Sequence, residues 1–89
     1  MRTVWKYELE LVDEWQNRPM PRGSTVVHVS AQHNKPCLWA EVTSEFTLAD
    51  RWFMVEGTGH PVEHDGRYVG TALTHGGDLV WHVFEEVSA

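Results

Sequence analysis

Hydrophobic and polar residues alternate with period two along most of this chain. Trp5, Tyr7, Leu9 and Leu11 are interleaved with Lys6, Glu8 and Glu10, and Leu79, Trp81 and Val83 with Val80, His82 and Phe84. Such a rhythm marks β-strands that turn one face to a core. Six strands are predicted: about Thr3–Leu11, Ser24–Ala31, Cys37–Thr43, Arg51–Gly57, Arg67–Leu73, and Leu79 to Val87 at most. In the second, Val27, Val29 and Ala31 are expected on one face, with Val26, His28 and Ser30 on the other. In the third, Leu38, Ala40 and Val42 oppose Trp39 and Glu41. No segment sustains a 3.6-residue period over three turns, so little helix is expected.

Turn chemistry separates the strands. Val12–Gly23 carries Pro19 and Pro21, which cannot donate ladder hydrogen bonds, and reads as a loop or extended edge segment. Gln32–Pro36 reads as a hairpin turn, since Asn34 tolerates positive φ. Ser44–Asp50 is expected to be a loop or one helical turn, Gly57–Pro61 a break, and Thr74–Asp78 a tight hairpin loop. These features predict an all-β chain: a compact antiparallel β-sandwich or partly open barrel, one domain over residues 1–89.

Five Trp among 89 residues supply the large side chains that a small core needs. Apolar side chains lie on both faces of several strands (Trp39, Val80 and Phe84 against Leu38 and Trp81). Either two sheets stack, or a second copy of the chain covers one of them. A homo-oligomer is the expectation. The single cysteine, Cys37, excludes an intrachain disulfide and reads as a small buried hydrophobe. The formal charge of −6, from seven basic and thirteen acidic residues, argues against binding nucleic acid. Neither a signal peptide nor a long apolar span is present, which predicts a cytoplasmic protein without a membrane partner.

Several stretches together carry a resemblance: Trp5-Lys6-Tyr7-Glu8-Leu9, Met20-Pro21-Arg22-Gly23, Pro36-Cys37-Leu38-Trp39-Ala40, Gly57-Thr58-Gly59-His60, Tyr68-Val69-Gly70-Thr71 and Leu79-Val80-Trp81-His82-Val83-Phe84-Glu85. In this order they resemble a family of small proteins of bacteriophages and bacteria, a domain of unknown function. The resemblance implies a phage or bacterial protein of the cytoplasm and supplies no activity.

Candidate chemistry gathers in three places. Gly57–Asp65 holds His60, His64, Glu63 and Asp65, ligand types for zinc or another divalent metal. Pro61 keeps the two imidazoles off a shared helical face, so the loop would have to fold back to join them. Its other reading is a solvated turn. Trp15, Arg18, Met20 and Arg22 belong to residue types enriched at interfaces and lie in a segment of weak secondary structure. They read as a contact surface, or as a lid folded over an open sheet end. His28 and His82 stand opposite the expected core face, where they could approach each other or Glu41 if their strands pair. No nucleophile elbow, phosphate-binding glycine loop or catalytic carboxylate pair is seen, so no catalytic residue is assigned. The leading expectation is a non-catalytic module that binds a protein partner or small ligand, without a cofactor. The alternatives are a metal-dependent hydrolytic enzyme built on His60 and His64, and a structural accessory phage protein.

Overall fold

On the first strand, Thr3, Trp5 and Tyr7 share one pleat face, and the neighbouring strand answers them with Val42, Ala40 and Leu38 directly opposite. A computed structural model describes residues 1–87. Its strands are β1 (Arg2–Glu8), β2 (Gln16–Asn17), β3 (Met20–Pro21), β4 (Thr25–Gln32), β5 (Lys35–Thr43), β6 (Leu48–Ala49), β7 (Trp52–Gly57), β8 (Arg67–Thr74) and β9 (Leu79–Glu85). All pairings are antiparallel, in sheets ordered β1-β5-β4 and β2-β7-β9-β8, with a small β3-β6 ribbon. The six expected strands are the six long ones, arranged as a sandwich. The only helical element among the described residues is a 3₁₀ turn over His75–Gly77.

The core lies between the two sheets. Leu38, Ala40 and Val42 of β5 join Phe53 and Val55 of β7, Val83 of β9, and Leu9 and Met20 in one buried cluster. Each is at most 4% exposed, so the alternation in β5 holds as expected. Cys37 is also buried. Burial of this kind contributes about 1.5–3 kcal/mol for each large side chain.

Three local expectations change. A β-bulge between Val26 and His28 breaks the parity of β4. Val26 and Val29 therefore both pack on the core while Val27 is left 56% exposed. An extra residue in one strand rotates everything after it to the other face. Secondly, Val12–Gly23 and Ser44–Asp50 are not wholly irregular. They supply β2, β3 and β6, whose two-residue pairings carry no periodic signal, and no helical turn forms there. Thirdly, β1 ends at Glu8, although alternation runs on to Leu11. There the side-chain amide of Gln16 replaces a strand neighbour, accepting from the Glu10 N–H and donating to the Glu10 carbonyl, each at 2.8 Å.

The β4–β5 hairpin turns through His33 and Asn34, both at positive φ (55° and 60°), the geometry of a type I′ turn. Asn34 Oδ1 also accepts the His75 N–H at 3.0 Å, which ties this hairpin to the 3₁₀ turn.

Tyr7 carries a cost. Its hydroxyl is buried with no hydrogen-bond partner among the described residues. Burial pushes the phenol up from its ordinary value near 10, with Arg51 pulling the other way. A phenol that holds its proton longer folded than unfolded lowers stability as pH rises through the unfolded value. Tyr7→Phe is expected to raise stability by about 1 kcal/mol at neutral pH and to flatten the decline above about pH 10. Thermal melts of both proteins from pH 8 to 11 test this. A destabilised Phe variant would show that the hydroxyl is satisfied in solution.

Candidate functional site

The same alternation that buries Phe53 and Val55 turns Met54 and Glu56 to the outer face of the four-stranded sheet. Register then sets Phe84 beside Met54 and His82 beside Glu56 on β9, and Tyr68 and Thr71 beyond them on β8. Among the described residues this outer face has a partial roof. The chain leaves β7 through a turn closed by the His60 N–H to the Gly57 carbonyl, 3.0 Å, and Gly59 takes a φ of 89° that only glycine adopts freely. From there it runs back across the sheet as far as Gly66.

His64 is the keystone of that roof. Its ring meets Trp15 at 4.9 Å and Phe84 at 5.1 Å, both edge-on. Trp15 arrives because β2, the next two residues, pairs with the start of β7. The Gly66 N–H donates to His64 Nδ1 at 3.0 Å. A Cβ on Gly66 would lie 2.9 Å from that nitrogen and 3.1 Å from the Trp15 ring, so glycine is needed for close approach. With Nδ1 accepting, the proton of a neutral ring sits on Nε2. Nε2 lies 3.2 Å from Glu56 Oε2, but off the line of a good hydrogen bond. The His64 and Glu56 side chains are 12% and 7% exposed.

Beneath the roof lies a cavity of about 360 Å³, lined by Asp13, Trp15, Met54, Glu56, His60, Pro61, Glu63 and His64. That volume is at the lower end of small-ligand pockets, roughly 300–1,000 Å³. Next to it, His82 is held between two threonines, Nε2 2.7 Å from Thr58 Oγ1 and Nδ1 3.2 Å from Thr71 Oγ1, and Tyr68 hydrogen-bonds Thr71 in turn.

The residues singled out from sequence divide as follows. Trp15, His60 and His64 line one cavity, and His82 stands on the same face. The loop does fold back, yet among the described residues no group of three or more His, Cys, Asp or Glu converges to hold a metal. Arg18 faces inward along the chain, donating to the Glu8 and Asn17 carbonyls at 2.8 Å and to Gln16 Oε1 at 3.1 Å. Met20 is wholly buried and offers no contact surface. Pairing of β3 with β6 draws it into the core. Arg22 is exposed and does not line the cavity. His28 lies exposed on the other sheet, 5.5 Å from the Trp39 ring. Its strand does not pair with that of His82, since β4 and β9 belong to different sheets. Sequence reasoning did not single out Asp13, Met54 and Glu56, whereas Glu63 was among the carboxylates of the candidate metal loop. Glu56 had a signal, an acid at an outward position of an otherwise apolar strand.

Among the described residues no helix is long and apolar enough to cross a membrane. No curated protein and no solved structure matches this chain. The model of the family described as a domain of unknown function (DUF7352) matches residues 1–89, and the chain belongs to that family.

Proposed function

We propose that this protein is a non-catalytic binding module whose ligand-contacting surface is the roofed outer face of the β2-β7-β9-β8 sheet. The observation that carries this reading is the joint lining of one cavity by Trp15, His64 and Glu56, which arrive from three separate segments. An aromatic wall with a few convergent polar groups is the usual composition of a recognition pocket. The ligand is a small molecule or a side chain of a protein partner. The family resemblance favours a phage or bacterial protein acting in the cytoplasm. Self-association belongs to the same proposal, supported by the exposed Val4 and Val27 on strands of the opposite sheet.

Ligand-observed and ¹H–¹⁵N NMR against a library of neutral, anionic and cationic fragments test the reading. Hits are expected to shift the Trp15 indole N–H and the amides of residues 56–66, and Trp15→Ala to abolish those shifts. Shifts confined to another surface, or no hit at all, would overturn the proposal. Translational diffusion in the same samples reads the oligomeric state, and a strict monomer at high concentration removes self-association.

A further inference from the structure

Glu56 is the most demanding group on the outer face. Its side chain is 93% removed from solvent, since 7% remains exposed, and it lines the cavity. Among the described residues its one close polar neighbour is His64 Nε2, and that contact is misdirected, so the nitrogen is left without a hydrogen-bond partner. A carboxylate largely removed from solvent, with its nearby imidazole donor misdirected, has acceptor capacity that a further donor can fill. The rest of the lining adds two carboxylates, and its only nitrogen bases are the His60 and His64 imidazoles. Asp13 and Glu63 stand with Glu56, while none of the chain's seven Lys and Arg residues lines the space. Those nearest in sequence are engaged elsewhere: Arg51 and Arg67 bind Glu85, and Arg18 binds backbone carbonyls. Trp15 and Met54 complete the walls with a π face and a polarisable thioether.

Negative charge at the base, an indole at the side and apolar surface between them fit a cationic head on a short apolar stem. We propose that the cavity binds an organic cation, an alkylammonium or guanidinium group, with the head donating to Glu56 and its stem against Met54 and Trp15. This inference rests on the binding reading above and narrows it to one charge class. An ammonium has three donors and a guanidinium five, so either can satisfy Glu56 and still reach Glu63 or Asp13 at the rim. Cation–π attraction to Trp15 adds to the carboxylate contact.

The chemistry is shared by two sources, a free amine and a Lys or Arg side chain of a partner protein. Calorimetric titration of the full chain with cadaverine, agmatine, a blocked Gly-Lys-Gly peptide, 1-pentanol and glutarate tests the proposal and separates them. Cadaverine or agmatine, or the peptide, is expected to bind with a Kd of about 1 mM or tighter. Pentanol and glutarate are expected not to bind at about 10 mM. A peptide that binds more tightly than the amines points to a protein partner, and the reverse order points to a free amine. Glu56→Gln keeps the shape and removes the charge, and is expected to weaken the cation by about tenfold or more. Glu63→Gln at the exposed rim leaves the buried packing alone and is expected to weaken it by roughly two- to fivefold. Far-UV circular dichroism verifies that both variants fold. Equal binding of glutarate, or cation binding unchanged in both variants, would overturn the cation assignment. Saturable pentanol or glutarate binding that Trp15→Ala abolishes would leave the binding module standing and remove only the charge class. Silence from every probe would count against both.

Discussion

Replacing Arg51 with Met is expected to destabilise the fold by about 3 kcal/mol. Arg51 grips Glu85 with two of its nitrogens, one contact being Nη2 to Oε1 at 3.1 Å, and its Nη1 donates to the Ser24 carbonyl at 2.9 Å. The two side chains are 21% and 8% exposed. Arg67 reaches the same carboxylate oxygen at 3.1 Å, but its side chain is 69% exposed and solvent screens that contact. Without Arg51 the buried carboxylate would keep only this weak partner. For a domain of this size about 3 kcal/mol corresponds to roughly 12–24 °C in Tm. Urea titration measures the loss. Converting both members, Arg51→Met with Glu85→Met, is expected to recover most of it, because an apolar pair of similar volume leaves no stranded charge. A loss under about 1 kcal/mol in the single variant, or a double variant as unstable as the sum of the singles, would refute this account.

Gly70→Val is expected to cost a similar amount, about 3 kcal/mol, for a different reason. Gly70 sits just after the bulge in β8, where that strand meets β4 of the opposite sheet. A Cβ there would lie 2.6 Å from Val29 Cγ2 and 2.7 Å from Val29 Cβ. The obstruction is the root of a branched, core-packed side chain and not a mobile tip, so relief requires the sheets to separate. Gly70→Ala is expected to cost about 1–2 kcal/mol, within the usual range for overpacking. Combining Gly70→Ala with Val29→Ala reopens the space. The double-mutant cycle should then show favourable coupling of about 1 kcal/mol. Additive losses would mean that the two residues do not touch in solution.

The stability test and the binding tests concern opposite sides of one sheet. Phe53, Val55, Val83 and Glu85 face inward to the partner sheet and the Arg51 clamp. Met54, Glu56, His82 and Phe84 face outward, where Trp15 and His64 partly cover them. Substitutions at Arg51 or Gly70 are therefore expected to change melting without altering the outer-face cavity, whereas Glu56→Gln acts on the cavity itself.

Alternation is a local property, and what depends on it was legible in the chain: six long strands, the buried row Leu38–Ala40–Val42, the positive-φ turn at Asn34. Pleat geometry dictates these whatever the partner strand is. The bulge at Val27 was not legible, because it is defined by the residues opposite it on β5 and not by β4 alone. Nor were the two-residue strands β2, β3 and β6, which exist only because distant segments pair. The same holds for the site. His60, His64 and Trp15 were visible as residue types, but their convergence needed β2 to pair with β7 and the chain after Gly57 to fold across the sheet. Met20 went to the core and His28 to the far sheet for the same kind of reason. Sequence by itself determined how side chains alternate along each unbulged run of strand. Only the tertiary structure decided which strands are neighbours, and so which outward residues meet, since pairing is set by long-range packing and register that no short window of residues contains.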